Sequence, residues 1–188
     1  MIYHLAPNGK IGLVLANGAL STQTSGEGEI RRKIIEADLI EGIVAMPTQL
    51  FYSVTIPVIL WFITRGKKQT SKTLFIDARN MGHMVDRKHR DFSEEDIVRL
   101  ADNFTAFQKG TLEDIKGFCA VATTKQIADQ DYILTPGRYV GIEEKAEDDE
   151  PFADKMNRLT TELGGMFAKS HELEEEIKKN LEGIGFKI

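Results

Sequence analysis

Scarcity narrows the choices first. The 188 residues hold a single cysteine, Cys119. One thiol can neither close an internal disulfide nor supply a four-cysteine zinc site, and a reducing compartment suits it. No apolar run approaches the roughly 20 residues that a membrane span requires; the longest, around residues 56–63, is interrupted by Pro57. Met1-Ile2-Tyr3-His4-Leu5 has no basic stretch followed by an apolar core, so no signal peptide is expected and the expected location is cytoplasmic. The four histidines, His4, His83, His89 and His171, show neither i, i+4 nor His-x-His spacing, so no metal site is expected. Internal repeats and low-complexity tracts are absent.

What is present is ordinary for a globular chain: 41% hydrophobic and 28% charged residues. The net charge of −5 is unevenly spread. Residues 1–110 carry 14 Lys and Arg against 12 Asp and Glu, a net of +2, and residues 111–188 carry 10 against 17, a net of −7. The acidic second part is unsuited to clamping phosphates by itself, because phosphate neutralisation requires Lys and Arg.

Along the chain, Ile11-Gly12-Leu13-Val14-Leu15-Ala16 is continuously apolar and predicts a strand buried on both faces. A helix is expected over 27–37, with Thr24 and Glu27 at capping-box spacing and Ile30, Ile34 and Ala37 on its buried side. Strands follow at 39–46, ended by Pro47, at 54–64 and at 73–78. Their short connections predict antiparallel hairpins. A second helix is expected over 94–107, capped by Ser93 and Asp96, burying Ile97, Leu100, Ala101 and Phe104. Residues 110–142 read as mixed, with a short helix at 124–129 and an extended, turn-rich 135–141. Residues 143–150 form a charged linker. Pro151 then suits the first turn of a long helix, 152–181, on which Met156, Leu159, Leu163, Met166, Leu173 and Ile177 follow coiled-coil spacing. Ser170 interrupts that seam, and Gly164-Gly165 costs about 1 kcal/mol per glycine. The domain reading is 1–110, a mixed extension and linker at 111–150, and the helix at 151–188.

Taken together, several strings resemble the modification subunit of type I restriction-modification systems. They are Leu5-Ala6-Pro7-Asn8-Gly9-Lys10, Gly12-Leu13-Val14-Leu15-Ala16-Asn17-Gly18, Ser25-Gly26-Glu27-Gly28-Glu29-Ile30-Arg31 and Ile43-Val44-Ala45-Met46-Pro47. They continue with Gln49-Leu50-Phe51-Tyr52, Ile56-Pro57-Val58-Ile59-Leu60-Trp61-Phe62, Leu74-Phe75-Ile76-Asp77-Ala78-Arg79, Gly82-His83-Met84-Val85-Asp86-Arg87 and Leu134-Thr135-Pro136-Gly137-Arg138-Tyr139-Val140-Gly141. The resemblance implies an α/β fold: the C-terminal part of a class I S-adenosylmethionine-dependent methyltransferase sheet, with a C-terminal α-helical extension. Residues 11–16 would be its fifth strand, and 39–46 with 54–64 the closing antiparallel pair. It implies DNA adenine methylation by the parent subunit, which assembles with a specificity subunit and a restriction subunit on double-stranded DNA.

Two parts of that family's machinery have no counterpart in the sequence. The five prolines follow Ala, Met, Ile, Thr and Glu, so no Asn-Pro-Pro-aromatic motif exists to hold the target amine. Gly26-Glu27-Gly28 lacks the third glycine of a donor-binding loop and carries acids instead. The chain alone is therefore expected to be inactive and to bind no cofactor, S-adenosylmethionine belonging to the complete subunit. Its expected roles are sheet completion, lining of the DNA cleft and docking of the specificity subunit. The alternative is an autonomous module that self-associates as a homodimer without a catalytic role.

The candidate site residues follow. Base-modifying enzymes extrude their target and stack it on an aromatic or apolar wall. Phe51 and Tyr52 follow a strand end, and either Phe51 packs on the flipped adenine or it covers the sheet edge. Asn17 and Gly18 follow the 11–16 strand, where α/β folds collect ligands; they line the cleft or belong to a solvated loop. Arg87, Lys88 and Arg90 form the densest basic cluster, for phosphates or as a solvated turn. The seam on residues 152–181 either folds back or docks a partner helix.

Overall fold

The computed structural model describes residues 1–52, 55–142 and 151–186. The chain divides into two units, residues 1–144 and 145–188.

The first unit is built on a five-stranded mixed sheet. Its strands are β1 (Lys10–Ala16), β2 (Ile40–Ala45), β3 (Val58–Thr64), β4 (Lys72–Asp77) and β7 (Cys119–Thr123), in the order β1-β3-β2-β4-β7. A separate ribbon pairs β5 (His83–Met84) with β6 (Arg90–Asp91). Three helices belong to this unit: α1 (Glu27–Glu36), α2 (Glu94–Lys109) and α3 (Thr124–Ala128). β3 is antiparallel to both β1 and β2, so those two run in the same direction. β4 runs parallel to β2, and β7 runs antiparallel to β4.

β2 is buried along its whole length because both sheet faces are covered there. One face packs Leu20, Ile43, Ile59, Phe75, Ile127 and Leu134, with the Tyr139 ring stacked on Phe75 at 3.9 Å. The other packs Val44, Leu74, Ile76, Phe107 and Cys119 under α2. A β-carbon at Gly42 would come within 3.0 Å of the Phe104 ring, so the absence of a side chain lets α2 settle against β2. The Cys119 thiol is buried, and desolvation pushes its pKa up, away from nucleophile chemistry.

Several expectations are corrected. The 58–64 and 72–77 strands are not hairpin partners: β2 lies between them and pairs β4 in parallel. β1 is not buried on both faces. It forms a sheet edge whose residues alternate between exposed and half-buried, leaving an apolar groove of about 480 Å³ beside α1. Gly26, not Thr24, caps α1, in a left-handed conformation (φ 79°) and with no side-chain cap. The buried side of α1 is Gly28, Arg31 and Ile35, with Ile34 half-buried against the core as expected, whereas Ile30 and Ala37 are exposed. The Ser93–Asp96 capping box of α2 forms in both directions. Its covered residues are Phe107, with Leu100 and Phe104 half-buried, while Ile97 and Ala101 stay exposed. Residues Pro136–Arg138 form a 3-10 turn rather than an extended run. β7 was not anticipated at all.

The second unit's described part is a single helix, α4 (Phe152–Gly183), two residues longer than expected. Every residue of its seam is 43–58% exposed. The charged run 143–150 lies outside the described residues. No described helix is long and apolar enough to cross a membrane, and the described residues hold no cluster of metal-ligating side chains.

Candidate nucleic-acid interface

Topology gathers residues that are distant in sequence. β1, β2 and β4 share one direction, so the segments leaving their C-terminal ends emerge at one rim of the sheet. These are the 3-10 turn Asn17–Leu20, the loop from Met46 to Tyr52, and the stretch from Ala78 to Gly82. Two backbone bonds hold the last two together with the sheet: Met46 N–H donates to the Val58 carbonyl and Ala78 N–H to the Ala45 carbonyl, each at 2.9 Å. Asn17 and Gly18 are exposed at this rim, and nothing lies within 4 Å of a β-carbon built on Gly18. Phe51 is 45% and Tyr52 91% exposed.

The β5–β6 ribbon rises beside this loop. Arg90 N–H donates to the Gln49 carbonyl at 2.8 Å, tying the ribbon to the segment that carries Phe51 and Tyr52. Gly82 (φ 78°) turns the chain into the ribbon, and a β-carbon there would sit 2.6 Å from the Asp91 carbonyl oxygen. At the tip, Asp86 Oδ1 accepts from Lys88 N–H at 2.7 Å and His89 N–H at 2.8 Å. These bonds stabilise the charged carboxylate and hold its pKa below the usual range. The result is a fixed turn that presents Arg87 and Lys88 to solvent.

The His89 ring stacks on Tyr52, centroid to centroid 4.1 Å and only 15° from parallel. Tyr52, Asp86, Arg87, Lys88 and His89 line an open cleft of about 440 Å³. The aromatic and basic candidates thus meet in space, although more than 30 residues separate them in sequence. Arg90 is placed differently: its Nη1 donates to the Met81 and Gly82 carbonyls at 2.9 and 3.3 Å, inside the ribbon. Of the three basic candidates, Arg87 and Lys88 are the solvent-facing pair. His89 was missed as a site residue because the sequence offers no sign that it faces Tyr52. Asp77 and Arg79 were missed too. The Arg79 guanidinium grips the Asp77 carboxylate with two bonds, 2.8 and 2.6 Å, at the β4 end of the rim, and the hydrogen bond raises the arginine pKa further. The Asp-x-Arg spacing at a strand end was the available signal.

The glycine turn before α1 is filled by its own chain, with Gly28 packed against the Gln23 side-chain amide. Glu27 and Glu29 occupy the first helical turn.

A sheet in which one antiparallel strand, β3, is inserted between two parallel ones, β1 and β2, has the topology of the closing part of a class I methyltransferase fold. The family model for N-6 DNA methylases matches residues 1–148, and the chain belongs to that family. It is 54% identical over 187 residues to the HindI methylase subunit of a type I restriction enzyme from Haemophilus influenzae, covering 99% of this chain and 42% of that protein. It is 47% identical to the MjaIX methylase subunit from Methanocaldococcus jannaschii, covering 98% of this chain and 34% of that one. Among solved structures it resembles the type I methyltransferase subunit from Streptococcus thermophilus, with a TM-score of 0.67 and 26% identity over 76% of this chain and 29% of that one. The EcoKI M protein shares the fold, with a TM-score of 0.55 and 17% identity over 96% of this chain and 45% of that one. The chain therefore spans less than half the length of these relatives.

Proposed function

We propose that this chain is the C-terminal part of the modification subunit of a type I restriction-modification complex, whose complete form methylates adenine in DNA. Its contributions are structural. It closes the methyltransferase sheet, lines one wall of the DNA cleft and offers α4 to the specificity subunit; the restriction subunit joins the same assembly. In this reading Phe51 backs the extruded adenine, Asn17 and Gly18 border it, and Arg87 and Lys88 meet phosphates. S-adenosylmethionine is held by parts of the subunit outside these 188 residues.

The observation that carries the reading is the shared rim, where the Asn17 turn, the Phe51–Tyr52 loop and the basic ribbon leave the sheet on the side where α/β folds bind ligands. The test is reconstitution. Supplied with the upstream polypeptide and a specificity subunit, this chain should co-elute on gel filtration and restore methylation of adenine in the duplex. A folded chain that never joins that assembly refutes the proposal.

One observation favours the other reading, a self-associating module. The α4 seam is uncovered in this chain, and β1 presents an unpaired edge open to strand addition. Light scattering on the isolated chain separates the two: a stable dimer that a specificity subunit fails to dissociate supports the module.

A further inference from the structure

The Tyr52–His89 stack is closed on one side and open on the other. His89 covers one face of the phenol ring at 4.1 Å, yet Tyr52 remains 91% exposed. An aromatic ring already stacked on one face loses less entropy when a second flat group stacks on the other. The backbone behind the stack is braced. Asp86 locks the turn that carries His89, and the bond from Arg90 N–H to Gln49 locks the ribbon to the Tyr52 loop.

Beside the open ring, Arg87 and Lys88 project from the same turn, both exposed to solvent and both lining the cleft with Asp86. The cleft these residues line, about 440 Å³, falls in the range of small-ligand sites. A flat π-surface flanked by two cations matches one ligand chemistry closely, a nucleobase with its adjoining phosphate. In a paired duplex both faces of each base are already stacked, so the Tyr52 face is useful only for a base that has left the stack.

We propose that Tyr52, His89, Arg87 and Lys88 form a subsite for one unstacked nucleotide of DNA. The base extends the His89–Tyr52 stack and the cations hold a flanking phosphate. This site is separate from the Phe51 wall and deepens the function proposed above, on which it rests for the identity of the nucleic acid.

The experiment uses the full 188-residue chain and a single-stranded oligodeoxynucleotide carrying one 2-aminopurine, read by fluorescence quenching as the base stacks. The wild-type chain should bind and quench this probe in preference to its paired duplex. Tyr52→Ala should weaken binding about tenfold or more and abolish the quench, while Tyr52→Phe keeps both. Because Tyr52 is so exposed, circular dichroism should show both variants folded. Replacing Arg87 and Lys88 together by Ala should flatten the salt dependence by about 0.7 in log–log slope, the value for one phosphate, but leave the quench at saturation.

Three results overturn the assignment: Tyr52→Ala quenching like wild type, equal binding of duplex and single strand, or no wild-type quench up to about 100 µM, the weak end of non-specific binding. Equal affinity for the free 2-aminopurine deoxynucleotide also overturns it, by making this a mononucleotide site. Co-elution with the specificity subunit reads the broader function independently. Co-elution without quenching sinks only this subsite, whereas quenching without co-elution sinks only the proposed assembly.

Discussion

Arg31 Nε donates to the Tyr132 carbonyl at 2.7 Å, across 101 residues of sequence. The same guanidinium reaches the Thr22 carbonyl through Nη1 at 2.8 Å. Arg31 is 3% exposed, so one buried cation staples α1 to both the rim turn and the segment after α3. Removing it leaves two inward carbonyls without donors. Arg31→Ala should destabilise the fold by about 3 kcal/mol, the scale of lost charged hydrogen bonds. Arg31→Lys should recover only part, because an ammonium lacks the planar fork. Urea titration followed by Trp61 checks this, since it is the sole tryptophan and is buried in the same core. A loss below about 1 kcal/mol would show that other contacts hold the turn.

The cap of α2 makes a prediction about acid. Asp96 accepts from Ser93 N–H at 3.0 Å and from the Ser93 hydroxyl at 2.9 Å, and these bonds hold its pKa below the ordinary value. A depressed carboxyl pKa in the folded state contributes stability above the unfolded-state value near 4, and that contribution disappears as pH falls through the folded value. Ser93→Ala should cost about 1 kcal/mol at neutral pH. Thermal melts of wild type and Asp96→Ala should differ at pH 6 and converge toward pH 3. A gap that is constant over that range excludes the cap's charge as the cause.

The elements the sequence made legible were those whose local signals agreed with their surroundings. β2 and β3 showed as apolar runs bounded by Pro47 and Gly66, and α2 showed through its capping box. The expected antiparallel pair, β2 with β3, is present, with β3 inserted between β1 and β2; it lies in the middle of the sheet, because β4 and β7 extend the sheet beyond β2. What failed was non-local. Short linkers suggested a hairpin after β3, but nothing within residues 58–77 signals that β4 will pair with β2 instead. β7, Cys-Ala-Val-Ala-Thr, is too short and too small to announce itself, and only pairing with β4 makes it a strand. On α1 the expected Ile34 does pack against the core but Ile30 and Ala37 do not, and the buried Arg31 looks like a surface residue in a pattern of apolar spacing. At the candidate site, each residue type was visible, but the meeting of Tyr52 with the ribbon was not. It depends on Arg90, which the sequence suggested for phosphate and which the fold turns onto the ribbon's own carbonyls.

Tyr139 should govern alkaline stability. Its hydroxyl donates to the Ile133 carbonyl, its ring stacks on Phe75, and burial pushes its pKa up to about 12. The unfolded chain ionises this group near 10, so between about 10 and 12 the unfolded state binds fewer protons and stability falls as pH rises. Tyr139→Phe should lose about 1 kcal/mol at neutral pH for the missing hydrogen bond. It should also show a shallower decline between pH 9 and 11, measured by urea midpoints. An unchanged decline would assign alkaline sensitivity to other groups.

The seam of α4 should separate association from folding. Leu159 and Leu173 are 43% and 49% exposed, and Met156, Leu163, Met166 and Ile177 continue the stripe. Apolar side chains at this spacing are stabilised by packing into a facing helix. Replacing Leu159 and Leu173 together by Glu puts two carboxylates where a partner helix would close, and each central anchor of such an interface is typically worth about 2 kcal/mol or more. Co-elution with a specificity subunit should be lost, together with any self-association seen by light scattering. The Trp61-detected unfolding midpoint should stay within about 0.5 kcal/mol of wild type, because surface substitutions away from the core rarely exceed that. If the double variant still co-elutes, docking runs through the first unit rather than through α4. If the midpoint falls by several kcal/mol instead, the seam supports the chain's own core.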